Sequence, residues 1–101
     1  MYDMKKLNNL KHLDTGAPDA MKAFWALEKA TFKEGVLSEQ TKQLIAVAVA
    51  LVTQCPYCVE IHTNLARKAG ATDAQLSETA VVAAVMRAGG SITHAAHLFE
   101  G

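Results

Sequence analysis

The stretch Gln43-Leu44-Ile45-Ala46-Val47-Ala48-Val49-Ala50-Leu51-Val52 decides the fold, because two secondary structures compete for it. From Ala46 to Leu51 alanine alternates with branched residues, the pattern of a buried strand. Three features outweigh it. Alanine is the best helix former and is depleted in strands. Ser38 stands where an N-cap would open a helix, with Glu39 in the first turn, where a carboxylate favours the helix dipole. The segment Glu39 to Gln54 also runs for ~16 residues, which suits a helix and not a strand. The stretch is therefore predicted to be a helix, apolar nearly all round and hence central.

Outward from it, start and stop signals divide the rest of the chain into helices. On the N-terminal side, Leu7, Leu10 and Leu13 mark a short amphipathic helix over Asp3 to Leu13, ended by Thr15-Gly16-Ala17-Pro18. A second helix runs from Asp19 to about Lys33 on the periodicity of Met21, Phe24, Trp25, Leu27 and Phe32, with Gly35 as its stop. On the C-terminal side a helix opens at Cys55, with Pro56 in the first helical position, and closes at Gly70. Thr72-Asp73-Ala74-Gln75 is a capping box for Asp73 to Ala88, and Gly89-Gly90 is the expected stop. Ser91 then caps a last short helix over Ile92 to Glu100. The expectation is one all-α domain, residues 1–101, of about six helices.

The alanines at Ala46, Ala48, Ala50, Ala80, Ala83 and Ala84 suggest helices in close approach. Phe24, Trp25 and Phe32 belong either to the core or to a subunit contact, since a short chain with a fully apolar central helix often buries more by associating.

Lysine plus arginine equals aspartate plus glutamate, ten of each, and neither sign forms a block. That leaves no electrostatic case for nucleic acid or an anionic membrane surface. The apolar run Leu44 to Val52 is about half of the ~20 residues a spanning helix needs, and Met1 to Lys6 contains no apolar signal segment. A cytoplasmic location is expected. In a reducing compartment two cysteines at CxxC spacing read as catalytic or metal-binding before they read as a staple.

Chemistry concentrates in Cys55-Pro56-Tyr57-Cys58-Val59-Glu60-Ile61-His62. Two helical residues three apart have β-carbons ~5–6 Å apart, whereas a disulfide wants ~3.8 Å, so a bridge there is expected to distort the first turn. A thiolate at a helix start is stabilised by free N–H groups and the dipole, which benefits Cys55 most. His62 lies one turn after Cys58 on the same face, placed to take the Cys58 proton. Two activating devices thus act on two cysteines, as a cycle with one attacking and one resolving thiol requires. Haem attachment is excluded, because Val59 and not histidine follows the second cysteine. A zinc site would need His94 or His97 as a further ligand; the reading here is no metal and no cofactor, with both histidines on a helix surface or interface.

Cys55-Pro56-Tyr57-Cys58 resembles the glutaredoxin motif, but the motif is mid-chain and the only prolines are Pro18 and Pro56, so the cis-proline facing the thiols in that family has no counterpart. The closer resemblance is to the carboxymuconolactone decarboxylase superfamily, in its alkyl hydroperoxidase D-like branch. It spans roughly Ser38 to Gly90 and is carried by Cys-x-x-Cys-x-x-x-His after the apolar run Gln43 to Ala50, with Ala69-Gly70-Ala71-Thr72 following. The resemblance implies an all-helical fold, assembly as trimers or hexamers, and a peroxidase cycle. In that cycle Cys58 attacks a hydroperoxide, Cys55 condenses with the sulfenic acid, and a lipoamide-like or thioredoxin-like dithiol reopens the disulfide. The family commonly has a glutamate twelve residues before the first cysteine, as a proton relay to the histidine, and this chain has Gln43 there. Glutamine hydrogen-bonds His62 or a water but accepts no proton at neutral pH. Glu39, one turn earlier, is a candidate substitute. The site residues expected are therefore Cys58, Cys55, His62 and Gln43, with general thiol–disulfide exchange, or a non-enzymatic metal-binding or redox-sensing module, as the alternatives. Lactone decarboxylation is not expected, since that branch lacks the cysteine pair.

Overall fold

The computed structural model describes residues 2–101 and is helical throughout, with no strand among them. A 3-10 helix (Met4–Leu10) leads into α1 (Lys11–Gly16), followed by α2 (Pro18–Thr31), α3 (Glu39–Thr53), α4 (Pro56–Lys68), α5 (Asp73–His94) and a closing 3-10 turn (Ala95–Leu98). The chain divides into two compact units, one ending at Glu39 and one running from Gln40 to Gly101.

In the first unit, Asp3 Oδ1 accepts the Lys5 N–H at 2.9 Å and opens the 3-10 segment. The expected α-helix over Asp3 to Leu13 is instead 3-10 as far as Leu10 and α-helical only from Lys11. The three-residue leucine spacing explains this, because three residues per turn is the 3-10 period. Ala17, at φ −138°, breaks the chain between α1 and α2, and Pro18 takes the first position of α2. Trp25 lies edge-on to Phe24, ring centroids 5.1 Å apart, and donates from Nε1 to Asp14 Oδ1 at 2.8 Å. No side chain of α2 is buried, so Phe24 and Trp25 form no intramolecular core.

In the second unit, the contested stretch around Ala46 to Leu51 is indeed α-helix. Val47 of α3 packs with Ala66 and Ala71, and Leu44 and Leu76 close over them. Ala66 is fully buried, while Ala46 and Ala48 are only half-buried and Ala80 and Ala84 exposed; the close approach is carried by Ala50, Ala66, Ala71 and Ala83.

The end of α4 shows why Ala66 and Ala71 meet. Gly70 adopts φ +96°, its N–H bonds Arg67 O and the Ala71 N–H bonds Ala66 O, each at 2.9 Å. This closing motif brings the residue after the turn onto the last helical turn. Gln40 braces it, donating to Ala69 O at 3.1 Å and accepting from Gln75 Nε2 at 3.0 Å. Gln75 in turn completes the expected capping box, with Thr72 N–H to Gln75 Oε1 at 2.8 Å and Gln75 N–H to Thr72 Oγ1 at 3.2 Å.

Gly89-Gly90 does not end the fifth helix, which continues to His94; of the separate last helix expected over Ile92 to Glu100, the first three residues belong to α5 and Ala95–Leu98 form a 3-10 turn. A glycine terminates a helix by turning left-handed, and neither of these has a positive φ. They are carried as helix interior at about 1 kcal/mol each relative to alanine. A β-carbon on Gly90 would meet nothing within 4 Å. Gly90→Ala is therefore expected to stabilise the protein by about 1 kcal/mol, a rise in Tm of several degrees in thermal unfolding. Val81, Val82, Val85 and Met86, each more than 60% exposed, leave one face of α5 apolar and uncovered. No helix among the described residues is long and apolar enough to cross a membrane.

Candidate active site

α3 ends in the same closing motif as α4, without a glycine. Gln54 takes φ +57°, its N–H bonds Leu51 O at 3.3 Å, and the Cys55 N–H bonds Ala50 O at 3.1 Å. A left-handed residue other than glycine costs roughly 1 kcal/mol. Its effect is to turn the chain directly from the central helix into the cysteine motif.

Cys55 follows in extended conformation, φ −98° and ψ 98°, as the N-cap of α4, and Pro56 occupies the first helical position. The thiol replaces the hydroxyl or carboxylate usual at such a cap: Cys55 Sγ accepts the Cys58 N–H at 3.3 Å. The Cys55 and Cys58 sulfurs are 2.7 Å apart. Both thiols are free, and Cys55, extended and not helical, folds its side chain back over the first turn.

Gln43, Val47 and Ala50 form the buried face of α3, and Gln43 is only 4% exposed. Its Oε1 accepts from His62 Nδ1 at 2.8 Å. An amide oxygen only accepts, so the imidazole proton sits on Nδ1, and neutral His62 keeps its lone pair on Nε2. The structure thus joins the four expected residues in two contacts, Cys55 with Cys58 and Gln43 with His62, both anchored on α4. Glu39 is exposed, as is Glu60, and the Glu39 N–H is taken by Glu34 Oε1 at 2.8 Å. Glu39 therefore does not stand in for a buried relay carboxylate. His94 and His97 face each other edge-on at 5.4 Å, and no group of three or more His, Cys, Asp or Glu side chains among the described residues is placed to hold a metal ion.

The profile of the carboxymuconolactone decarboxylase family matches residues 18–101, most of the chain. The chain belongs to the carboxymuconolactone decarboxylase family. It is 58% identical over 73 residues to uncharacterized protein 4 in cox locus of Paracoccus denitrificans, a match covering 72% of this chain and 66% of that protein. It is 39% identical over 51 residues to an alkyl hydroperoxide reductase of Mycobacterium tuberculosis, covering 50% of this chain and 15% of that protein. The chain thus spans less than two thirds of either relative. A crystal structure from Methanobacterium thermoautotrophicum superposes with a TM-score of 0.82 at 33% identity, over 90% of this chain and 99% of that one.

In this family member the contacts at the start of α4 favour ionisation of Cys55. The hydrogen bond from the Cys58 thiol holds the Cys55 thiol below its ordinary pKa of 9.0; the Cys58 and Tyr57 N–H groups act the same way, and burial opposes them. The sign follows from linkage: the fold favours the Cys55 thiolate, so this stabilisation is full above the ordinary thiol pKa and is lost as pH falls through the lower folded value. Cys58→Ala removes the largest contribution. The Cys55 titration, followed by thiolate ultraviolet absorbance, is expected to move back up toward the ordinary value in that variant.

One contact had no signal in the sequence. Arg87 of α5 donates from Nη1 to Val52 O at 2.6 Å, capping the C-terminal end of α3 from 35 residues away. Nothing in helical periodicity links those two positions.

Proposed function

We propose that this protein is a thiol-dependent peroxidase, cycling through a Cys55–Cys58 disulfide that an external dithiol reopens. The observation that carries the reading is the pair of contacts on α4: two sulfurs 2.7 Å apart at its start, and His62 one turn beyond Cys58, held by buried Gln43. His62 Nε2, one turn along the same helix face, takes the Cys58 proton and leaves the attacking thiolate. The Cys58 thiolate attacks the outer peroxide oxygen, the O–O bond breaks, and the alcohol leaves with a proton, so that Cys58 becomes a sulfenic acid. The Cys55 thiolate then attacks the Cys58 sulfur, the hydroxyl takes the proton that His62 holds and leaves as water, and the disulfide forms. Two thiols of a lipoamide-like or thioredoxin-like donor reduce it and are themselves oxidised to a disulfide.

The similarity to the mycobacterial alkyl hydroperoxide reductase supports this reading. The reducing cytoplasm, where the pair rests as dithiol, is the compartment that suits the cycle. The uncovered α5 face from Val81 to Met86 suits association with further copies of this chain, as a trimer or hexamer. The test is consumption of an organic hydroperoxide by the reduced protein with dihydrolipoamide, or thioredoxin and its reductase, as donor. Steady turnover with either supports the peroxidase; none with both removes it.

The lowered Cys55 thiol favours a second reading, thiol–disulfide exchange with other substrates, because an N-terminal thiolate of this kind is the attacking group that exchange needs. Cys58→Ser would then accumulate mixed disulfides on Cys55.

A further inference from the structure

Beside the cysteine motif, α3 and α5 enclose an open groove of about 480 Å³. Leu51 and Val52 of α3 and Ala80, Ala83 and Ala84 of α5 make it apolar; Gln54 and Arg87 are its only polar lining residues. Ala80, Ala84 and Arg87 share one face of α5, over two turns or ~10 Å. Arg87 is fixed at one end of that length by its bond to Val52 O and is paired with no carboxylate among the described residues. Gln54 is held in its left-handed conformation, where glycine would be less strained, and directly precedes Cys55.

We infer that this groove binds a monoanion with a medium-length apolar tail, a carboxylate of the fatty-acid class, its head on Arg87 and Gln54 and its tail along the alanines of α5. Two physical arguments select this occupant. An apolar trough with a single cation at one end is complementary to a molecule that is charged only at its head, and a guanidinium receives a carboxylate through paired hydrogen bonds. Alanines at Ala80, Ala83 and Ala84 leave the width an alkyl chain occupies. The inference does not depend on the peroxidase reading. It has a consequence for it, however: a carboxylate at Arg87 adds negative charge near Cys55 and disfavours the thiolate there.

The probe is octanoate, titrated into the reduced wild-type protein by amide-resolved NMR, with octanol and octyltrimethylammonium as uncharged and cationic comparisons. Octanoate is expected to shift the Gln54, Ala80, Ala83, Ala84 and Arg87 resonances, to bind at least tenfold more tightly than either comparison, and to slow alkylation of Cys55 at neutral pH. Arg87→Gln should weaken octanoate binding at least tenfold, and Ala84→Phe, which fills the groove from an exposed position, should abolish it. Equal binding of octanol, shifts that map elsewhere, or unchanged affinity in Arg87→Gln would each overturn the inference. So would groove resonances that respond to protein concentration and not to octanoate, which would assign the groove to a second copy of the chain. Should Arg87→Gln fail to fold, the comparison of the three probes on the wild-type protein still decides.

Discussion

Replacing Cys58 by serine is expected to lower hydroperoxide turnover with a dithiol donor by roughly a thousandfold or more, because it removes the attacking sulfur itself. Cys55→Ser has a different signature. Cys58 still reacts once, but no partner 2.7 Å away can condense with its sulfenic acid, so the oxidised sulfur persists and is captured by a sulfenic-acid reagent. The two variants are nearly equal in steady-state loss and opposite in what they trap. Were the lowered pKa of Cys55 to make it the peroxide-reactive thiol, the trapped species would appear in Cys58→Ser instead. Turnover unchanged in both variants would leave no thiol peroxidase to explain.

The second large effect is a gain. Gln43→Glu places a proton acceptor 2.8 Å from His62 Nδ1, where the present amide oxygen can only receive a hydrogen bond. A carboxylate there stabilises the imidazolium by charge, makes the imidazole a stronger base toward Cys58, and opens a path for the proton beyond it. Peroxide turnover is expected to rise about tenfold to a hundredfold, and the acid limb of its pH profile to move to higher pH. The cost is a carboxylate on the buried face of α3, which the charge on His62 offsets once the ring is protonated. Gln43→Ala tests the same contact in the other direction. It strips His62 of the hydrogen bond that orients its ring, at about 1 kcal/mol of stability. A Gln43→Glu protein with unchanged rate and pH profile would show that His62 is not the base.

Much of the helical fold was legible because its signals are local. Alanine content and segment length decided for helix at Ala46 to Leu51, Pro56 marked the start of α4, and Thr72 with Gln75 marked that of α5. Gly89-Gly90 misled for a physical reason: a glycine pair permits a left-handed stop without requiring one, and the backbone stayed right-handed. The 3-10 character of Met4–Leu10 is present in the leucine spacing, which amphipathicity alone does not separate from an α-helix. At the site, Cys58 and His62 share a face by helical register, which the sequence reveals; the contact of Gln43 with His62 crosses from α3 to α4, and only the family pattern pointed to it. The N-cap geometry of Cys55 depends on how α3 ends, with a left-handed glutamine that composition does not announce. Arg87 joined the end of α3 through tertiary packing alone.

The most direct test of the dithiol cycle is a stoichiometric one on the reduced wild-type protein: one equivalent of an organic hydroperoxide, free thiols counted before and after, and the intact mass recorded. The cycle predicts that both thiols disappear together, that the mass falls by two hydrogens, and that a dithiol restores both. Two thiols still titratable at unchanged mass, or a stable gain of oxygen with one thiol left, would contradict it.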